Sequence, residues 1–178
     1  MDRQQSLGKL LISTFLMKMK IDWTLLKANL GLLALTLRKV PLIAFTGPRY
    51  VELSTTKAVI KIPLGYRTRN HLGSMYFGAL AVGADLVVGG LAWNLIKQRG
   101  APINLIFKDF NAEYLKRAED DVFFICDEGA RINALISRAV ATQERVNETI
   151  PAYAVVPTKF GNEAVARFQL TLSLKLGA

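Results

Sequence analysis

Residues 69–86 read RNHLGSMYFGALAVGADL, a polar opening that turns apolar and then carries one carboxylate, Asp85. From His71 to Ile96 that aspartate is the only formal charge. Apolar side chains fall on every side of a helix drawn through this segment. Such a helix is either enclosed by protein or immersed in lipid. Its 26 residues are enough to cross a bilayer, which takes about 20. Asp85 would then sit close to the bilayer centre, at a cost of about 2.5–3.5 kcal/mol. The rest of the chain reads as half-buried strands able to wrap a helix, so enclosure by protein is the expectation. Gly73, Gly78 and Gly83, with Ala79, Ala81 and Ala84, are poor choices on helix propensity alone. They suit a helix approached closely by sheet backbone or by a second subunit.

Upstream, residues 1–40 read as helix in one or two pieces. Leu10, Leu11, Phe15, Leu16, Met19 and Trp23, then Leu26, Leu30, Leu33 and Leu37, recur at three- and four-residue steps until Pro41 interrupts them. Lysines lie between these residues, so the segment is either an amphipathic helix packed on the domain or a basic helix resting on a membrane surface or shaping a pocket mouth. PLIAFTG (41–47) reads as a short strand closed by the Gly47-Pro48 turn. KAVIKIPL (57–64) alternates, with Ala58, Ile60, Ile62 and Leu64 on one face and Lys57, Val59 and Lys61 on the other.

Downstream, INLIFKDFNAEYL (103–115) is read as a strand with Ile106, Phe110, Ala112 and Tyr114 opposite Asp109, Asn111 and Glu113. DVFFIC (121–126) follows as a strand. ARINALISRAVATQ (130–143) returns to helical period through Ile132, Leu135, Ile136, Ala139 and Val140. ETIPAYAVVPT and EAVARFQLTLSLK flank a KFGN turn. In the last strand Ala164, Ala166, Phe168, Leu170, Leu172 and Leu174 face in, and Arg167, Gln169, Thr171, Ser173 and Lys175 face out.

Composition narrows the chemistry. The chain has 178 residues, one cysteine, one histidine and a formal net charge of +9. One cysteine rules out an intrachain disulfide, and a reducing compartment, the cytoplasm, fits it best. No residue set makes a metal centre, and none calls for a cofactor. Residues 1–40 hold seven Lys/Arg against two Asp, a balance that attracts phosphates of a lipid, coenzyme A or an acidic carrier. The basic residues are dispersed and do not interleave with aromatics as on a nucleic-acid platform, which argues against nucleic acid.

The order of elements, helix, strands, one long apolar helix, then alternating strands with a late helix, resembles the hotdog architecture. That is an α+β fold in which a curved antiparallel sheet wraps a central helix. NHLGSMYFGALAVGAD resembles the entry to that helix in PaaI-like acyl-CoA thioesterases, where a His-Gly-Gly turn leads into an Ala/Leu-rich helix. FKDFNAEYLKRAEDD is similar to the strand after it. The nearest likeness is to a hotdog-related domain family of unknown function, over roughly residues 40–176. It divides the chain into an N-terminal helical extension (1–40) and a hotdog domain (41–178).

The resemblance implies a site. In these thioesterases the thioester carbonyl sits at the helix N-terminus, where unpaired N–H groups and the positive end of the dipole stabilise an oxyanion. Gly73 matches the second turn glycine, so its N–H or that of Ser74 is the implied oxyanion donor, with Met75 beside them. His71 matches the turn histidine, and Asn70 is placed to cap the helix or orient a water. Leu72 departs from the first glycine. The family carboxylate lies about two turns past the second glycine, near Ala81, which cannot act as a base. Asp85, one turn further, is the implied general base, against the alternative of a buried carboxylate bonded to backbone or to a neighbouring subunit, with Arg67, Arg69 and Arg131 as candidate partners. The implied activity is hydrolysis of an acyl-CoA or acyl-carrier-protein thioester by a homodimer or dimer of dimers. The alternative is a non-catalytic hotdog protein that binds a fatty-acyl or lipid ligand. Peripheral membrane contact through the N-terminal helix is a further expectation.

Overall fold

The computed structural model describes residues 22–177. In chain order the elements are α1 (Trp23–Lys39), α2 (Pro41–Thr46), β1 (Arg49–Leu53), β2 (Ala58–Ile62), α3 (Phe77–Arg99), β3 (Ile103–Tyr114), β4 (Val122–Cys126), α4 (Gly129–Thr142), β5 (Val146–Val155), α5 (Pro157–Phe160) and β6 (Ala164–Leu176). The strands form one antiparallel sheet in the order β1-β2-β4-β5-β6-β3. Expectations for Leu10 to Met19 lie outside the described residues.

α3 is the helix that the sheet wraps. Ala84, Val87, Val88, Leu91 and Ala92 are fully buried. The helix is long and apolar enough to cross a membrane, yet 61% of its most apolar window is buried inside the protein. Small residues make this enclosure possible. A Cβ on Gly83 would collide with the Phe124 ring of β4, and one on Gly90 with the Tyr50 hydroxyl of β1. Sheet side chains therefore rest directly on helix backbone at both ends of the contact. Gly100, at φ +68°, ends the helix in the left-handed conformation that glycine adopts without strain.

PLIAFT is a helix rather than a strand. Pro41 opens it, where a missing N–H costs nothing, and Gly47 at φ +67° closes it. Six apolar residues carry too little periodicity to separate the two forms. The first strand is instead RYVEL, residues 49–53, whose partly exposed pattern shows no clean alternation. β2 is also more deeply embedded than its lysines suggest, since Val59 on the second face is buried as well.

The phase of β3 changes along its length. Phe107 pairs with Leu172 while Asp109 pairs with Thr171, which leaves Lys108 as a bulge. Before it Ile103, Leu105 and Phe107 turn toward the core; beyond it Ala112 does. Ile106 therefore lies exposed and does not share a face with Phe110. An extra residue reverses every side chain that follows. On β6 the alternation holds, but outward Thr171 and Ser173 are buried. Thr171 is in hydrogen-bond contact with Thr149 (2.8 Å) and with Asp109 (2.6 Å), and Arg145 donates to Ser173.

Besides the packing of Leu25, Ala28 and Leu32 on the core, one side chain hydrogen-bonds α1 to the sheet. Asn29 donates to the Tyr50 carbonyl (3.1 Å) and accepts from the Tyr50 N–H (2.8 Å), filling the place of a neighbouring strand beside β1. Asn29→Ala removes both partners, and the expected loss of stability is about 1–3 kcal/mol. Denaturant unfolding would measure it, and Asn29→Asp, which keeps only the acceptor, should fall in between.

Candidate active site

Asp85 projects from the middle of α3 into open space. It is half-buried, and burial alone holds its carboxyl above the ordinary carboxylate range. Among the described residues it makes no hydrogen bond and no ion pair. The arginines considered as partners are engaged elsewhere: Arg67 stacks on Phe45, Arg69 on Tyr66, and Arg131 pairs with Glu128 and Glu148. An unpaired carboxylate in a cleft with a raised pKa has the character of a general base.

Two cavities meet at this residue. The larger, about 610 Å³, lies between α1, β1, α3 and β3. Its walls include Leu32 and Leu35 from α1, Tyr50 from β1, Gly89, Gly90 and Trp93 from α3, and Leu105 and Phe107 from β3. Exposed Lys27 and Lys97 also border it. The size is within the usual range for small-ligand sites, and the mainly apolar lining with few polar groups suits an alkyl chain. The Tyr50 hydroxyl, across Gly90, has its pKa pushed up to about 12 by burial, so it stays a neutral donor. The smaller cleft, about 300 Å³, lies between Ala81, Val82 and Asp85 of α3 and Phe107 and Phe110 of β3, with Leu170 of β6 completing it. It runs toward the β3 edge of the sheet.

The Asn70–Ser74 turn is elsewhere. Neither cavity at Asp85 is bounded by residues 70–75. α3 begins only at Phe77, so Asp85 lies about 12 Å along the helix axis from its start and further from the turn. The turn is closed upon itself. Asn70 Oδ1 accepts from the N–H groups of Leu72 and Ser74, the Asn70 carbonyl accepts from Gly73 N–H, and Asn70 Nδ2 donates to Ser74 Oγ. Asn70 thus caps this turn and not α3. Gly73, at φ +80°, supplies the left-handed bend. Ser74 and Met75 are buried, and Met75 N–H donates to Ala118. His71 is exposed.

The first turn of α3 has a glycine of its own. Tyr76 occupies the cap position without a side-chain hydrogen bond, and the N–H groups of Phe77 and Gly78 fall where a helix leaves donors unpaired. Asp85 is seven residues, about two turns, beyond Gly78. The spacing between turn glycine and carboxylate that the resemblance implies is therefore met by Gly78 and Asp85. Nothing in the local sequence marks Tyr76 as a cap, which hides this register. Tyr50, Trp93, Leu105 and Phe107 were equally illegible, because only tertiary packing gathers them.

Residues 31–173 match a family model described as a domain of unknown function (DUF4442). Among solved structures, a thioesterase from Haemophilus influenzae is 13% identical with a TM-score of 0.62, covering 88% of this chain and 94% of that one. A mutant thioesterase from Pseudomonas aeruginosa is also 13% identical, at a TM-score of 0.64, covering 89% and 98%. A protein of unknown function from Chlorobaculum tepidum is 12% identical, at 0.72, covering 84% and 94%. At such identities the likeness carries the fold, a thioesterase-like hotdog. No curated protein matches the chain.

Proposed function

The chain belongs to the DUF4442 family, and we propose that it holds the acyl chain of a coenzyme A or carrier-protein thioester in the chamber at Asp85 and hydrolyses it. Asp85 takes a proton from water as the water oxygen bonds to the carbonyl carbon. The C–S bond then breaks, and the thiol departs with the proton that Asp85 took, which restores the carboxylate. The observation that carries this reading is Asp85 itself, an unpaired and half-buried carboxylate where an apolar chamber meets a second cleft. Lys27 and Lys97 at the chamber's border are suited to phosphates of the carrier.

The oxyanion donor in this reading is the α3 start at Phe77 and Gly78. Within one chain it lies about 10 Å from Asp85, too far for both to serve one carbonyl. A second copy resolves this. β3 is an edge strand of twelve residues with exposed Ile106, Phe110 and Tyr114, which invites pairing with another strand, and the smaller cleft opens beside it. The site is accordingly proposed to form between two chains joined along β3.

A second reading, an acyl-binding protein without turnover, is favoured by the distance of about 10 Å between Asp85 and the α3 start within one chain. Incubation with acyl-CoAs of increasing chain length separates the two. Thiol release above background that tracks binding supports the hydrolase. Saturable binding without release leaves the binder. Absence of both overturns the chamber as an acyl site.

A further inference from the structure

α1 has a second apolar face, turned away from the chamber. Trp23, Leu26, Leu30, Leu33 and Leu37 are spaced three and four residues apart, and all are 40–64% exposed. That spacing makes a continuous stripe on one side of a helix. Leu42 and Phe45 of α2 extend it, at 67% and 53% exposure. Beside Phe45, Arg67 stacks on the ring at 5.6 Å, and neighbouring Tyr66 is 86% exposed. Contiguous exposure of this kind marks a surface that meets something.

Charge identifies what it meets. Residues 23–51 carry Lys27, Arg38, Lys39 and Arg49 and no carboxylate. Lys27 and Arg38 fall on one margin of the stripe by helical spacing. A second copy laid parallel on this face would set cation against cation, and one laid antiparallel would offer Arg38 and Lys39 only Asp22, already committed as the cap of its own helix. A paired helix normally supplies opposite charges on its flanks. An anionic bilayer answers both features, taking the leucines and aromatic rings at the acyl boundary and the cations at the headgroups.

We propose that the α1–α2 face docks on anionic lipid membrane, so that the opposite face of the same helix roofs the chamber just above the bilayer surface. The ligand chamber would then draw from amphiphiles partitioned in that membrane. This inference stands on the outer stripe and does not depend on hydrolysis at Asp85.

The test is co-sedimentation of the full chain with phosphatidylglycerol-containing vesicles and with pure phosphatidylcholine vesicles. Binding is expected to favour the anionic vesicles and to weaken at 1 M salt, where the screening length falls to about 3 Å. The variant Leu30→Ser/Leu33→Ser/Leu37→Ser alters only the outer stripe and should lower vesicle binding at least about tenfold. Its circular dichroism and its binding of a soluble short-chain acyl-CoA should match wild type. Equal binding by variant and wild type overturns the assignment to this face, as does no preference for anionic lipid. If the wild type instead self-associates through the stripe and ignores vesicles, and the variant dissociates it, the face is a contact between copies and the proposal fails.

Discussion

Asp85→Asn is expected to lower thioester hydrolysis by about 10²–10⁴-fold while leaving acyl-ligand binding within a few-fold of wild type. The amide keeps the shape and polarity of the carboxyl but cannot take a proton from water. Stopped assays of thiol release against titration of the same acyl-CoA would separate the two effects, and unchanged hydrolysis would remove Asp85 as the base. The pH profile should follow. Burial raises the Asp85 pKa, so wild-type activity climbs as pH passes through that raised value, and the variant lacks the climb. Stability runs the other way. A carboxyl whose folded pKa is raised favours the fold when protonated, below its unfolded value of about 3.9, and that contribution is lost as pH rises through the folded pKa. At neutral pH the variant should therefore melt at a higher temperature than wild type, and the gap should close in acid.

Phe124→Ala is expected to cost about 3–5 kcal/mol of stability. Its ring is fully buried on β4, against the backbone of α3 at Gly83 and 6.2 Å from the Phe168 ring. Neither backbone element can collapse into the hole, because β4 is held between β2 and β5. Urea unfolding gives the value. The contact also predicts coupling. Gly83→Ala drives a methyl into the ring, whereas in a Phe124→Leu background the methyl gains room. The double variant should be less destabilised than the two single losses added, with a coupling of about 0.5–3 kcal/mol. Simple additivity would show that ring and helix backbone do not share the space.

The wrapped helix was legible because its composition leaves one lone charge in a long apolar run, and that charge proved to be the one at the cavities. Its beginning was not. Asn70 has the chemistry of a helix cap and uses it on a turn six residues early, while Tyr76, which stands at the true boundary, caps nothing with its side chain. Short elements misled for a different reason. PLIAFT has the same apolar content as a strand, and RYVEL gains its strand character from pairing with β2 and from Asn29 rather than from its own pattern. The bulge at Lys108 left no mark in composition, yet it reverses the phase of β3. What could not be read locally is what lies between elements. The chamber exists only where α1, β1, α3 and β3 converge.

The Asn29 clamp has a consequence for how the sheet meets its surroundings. It takes up the outward groups of Tyr50 on the free margin of β1, while the margin of β3 stays unpaired within the chain. A ribbon that can be extended from one side only uses up its growth point in a single joining step. On the proposal that two chains join along β3, that joining would take up the one open edge and leave none to seed a fibre.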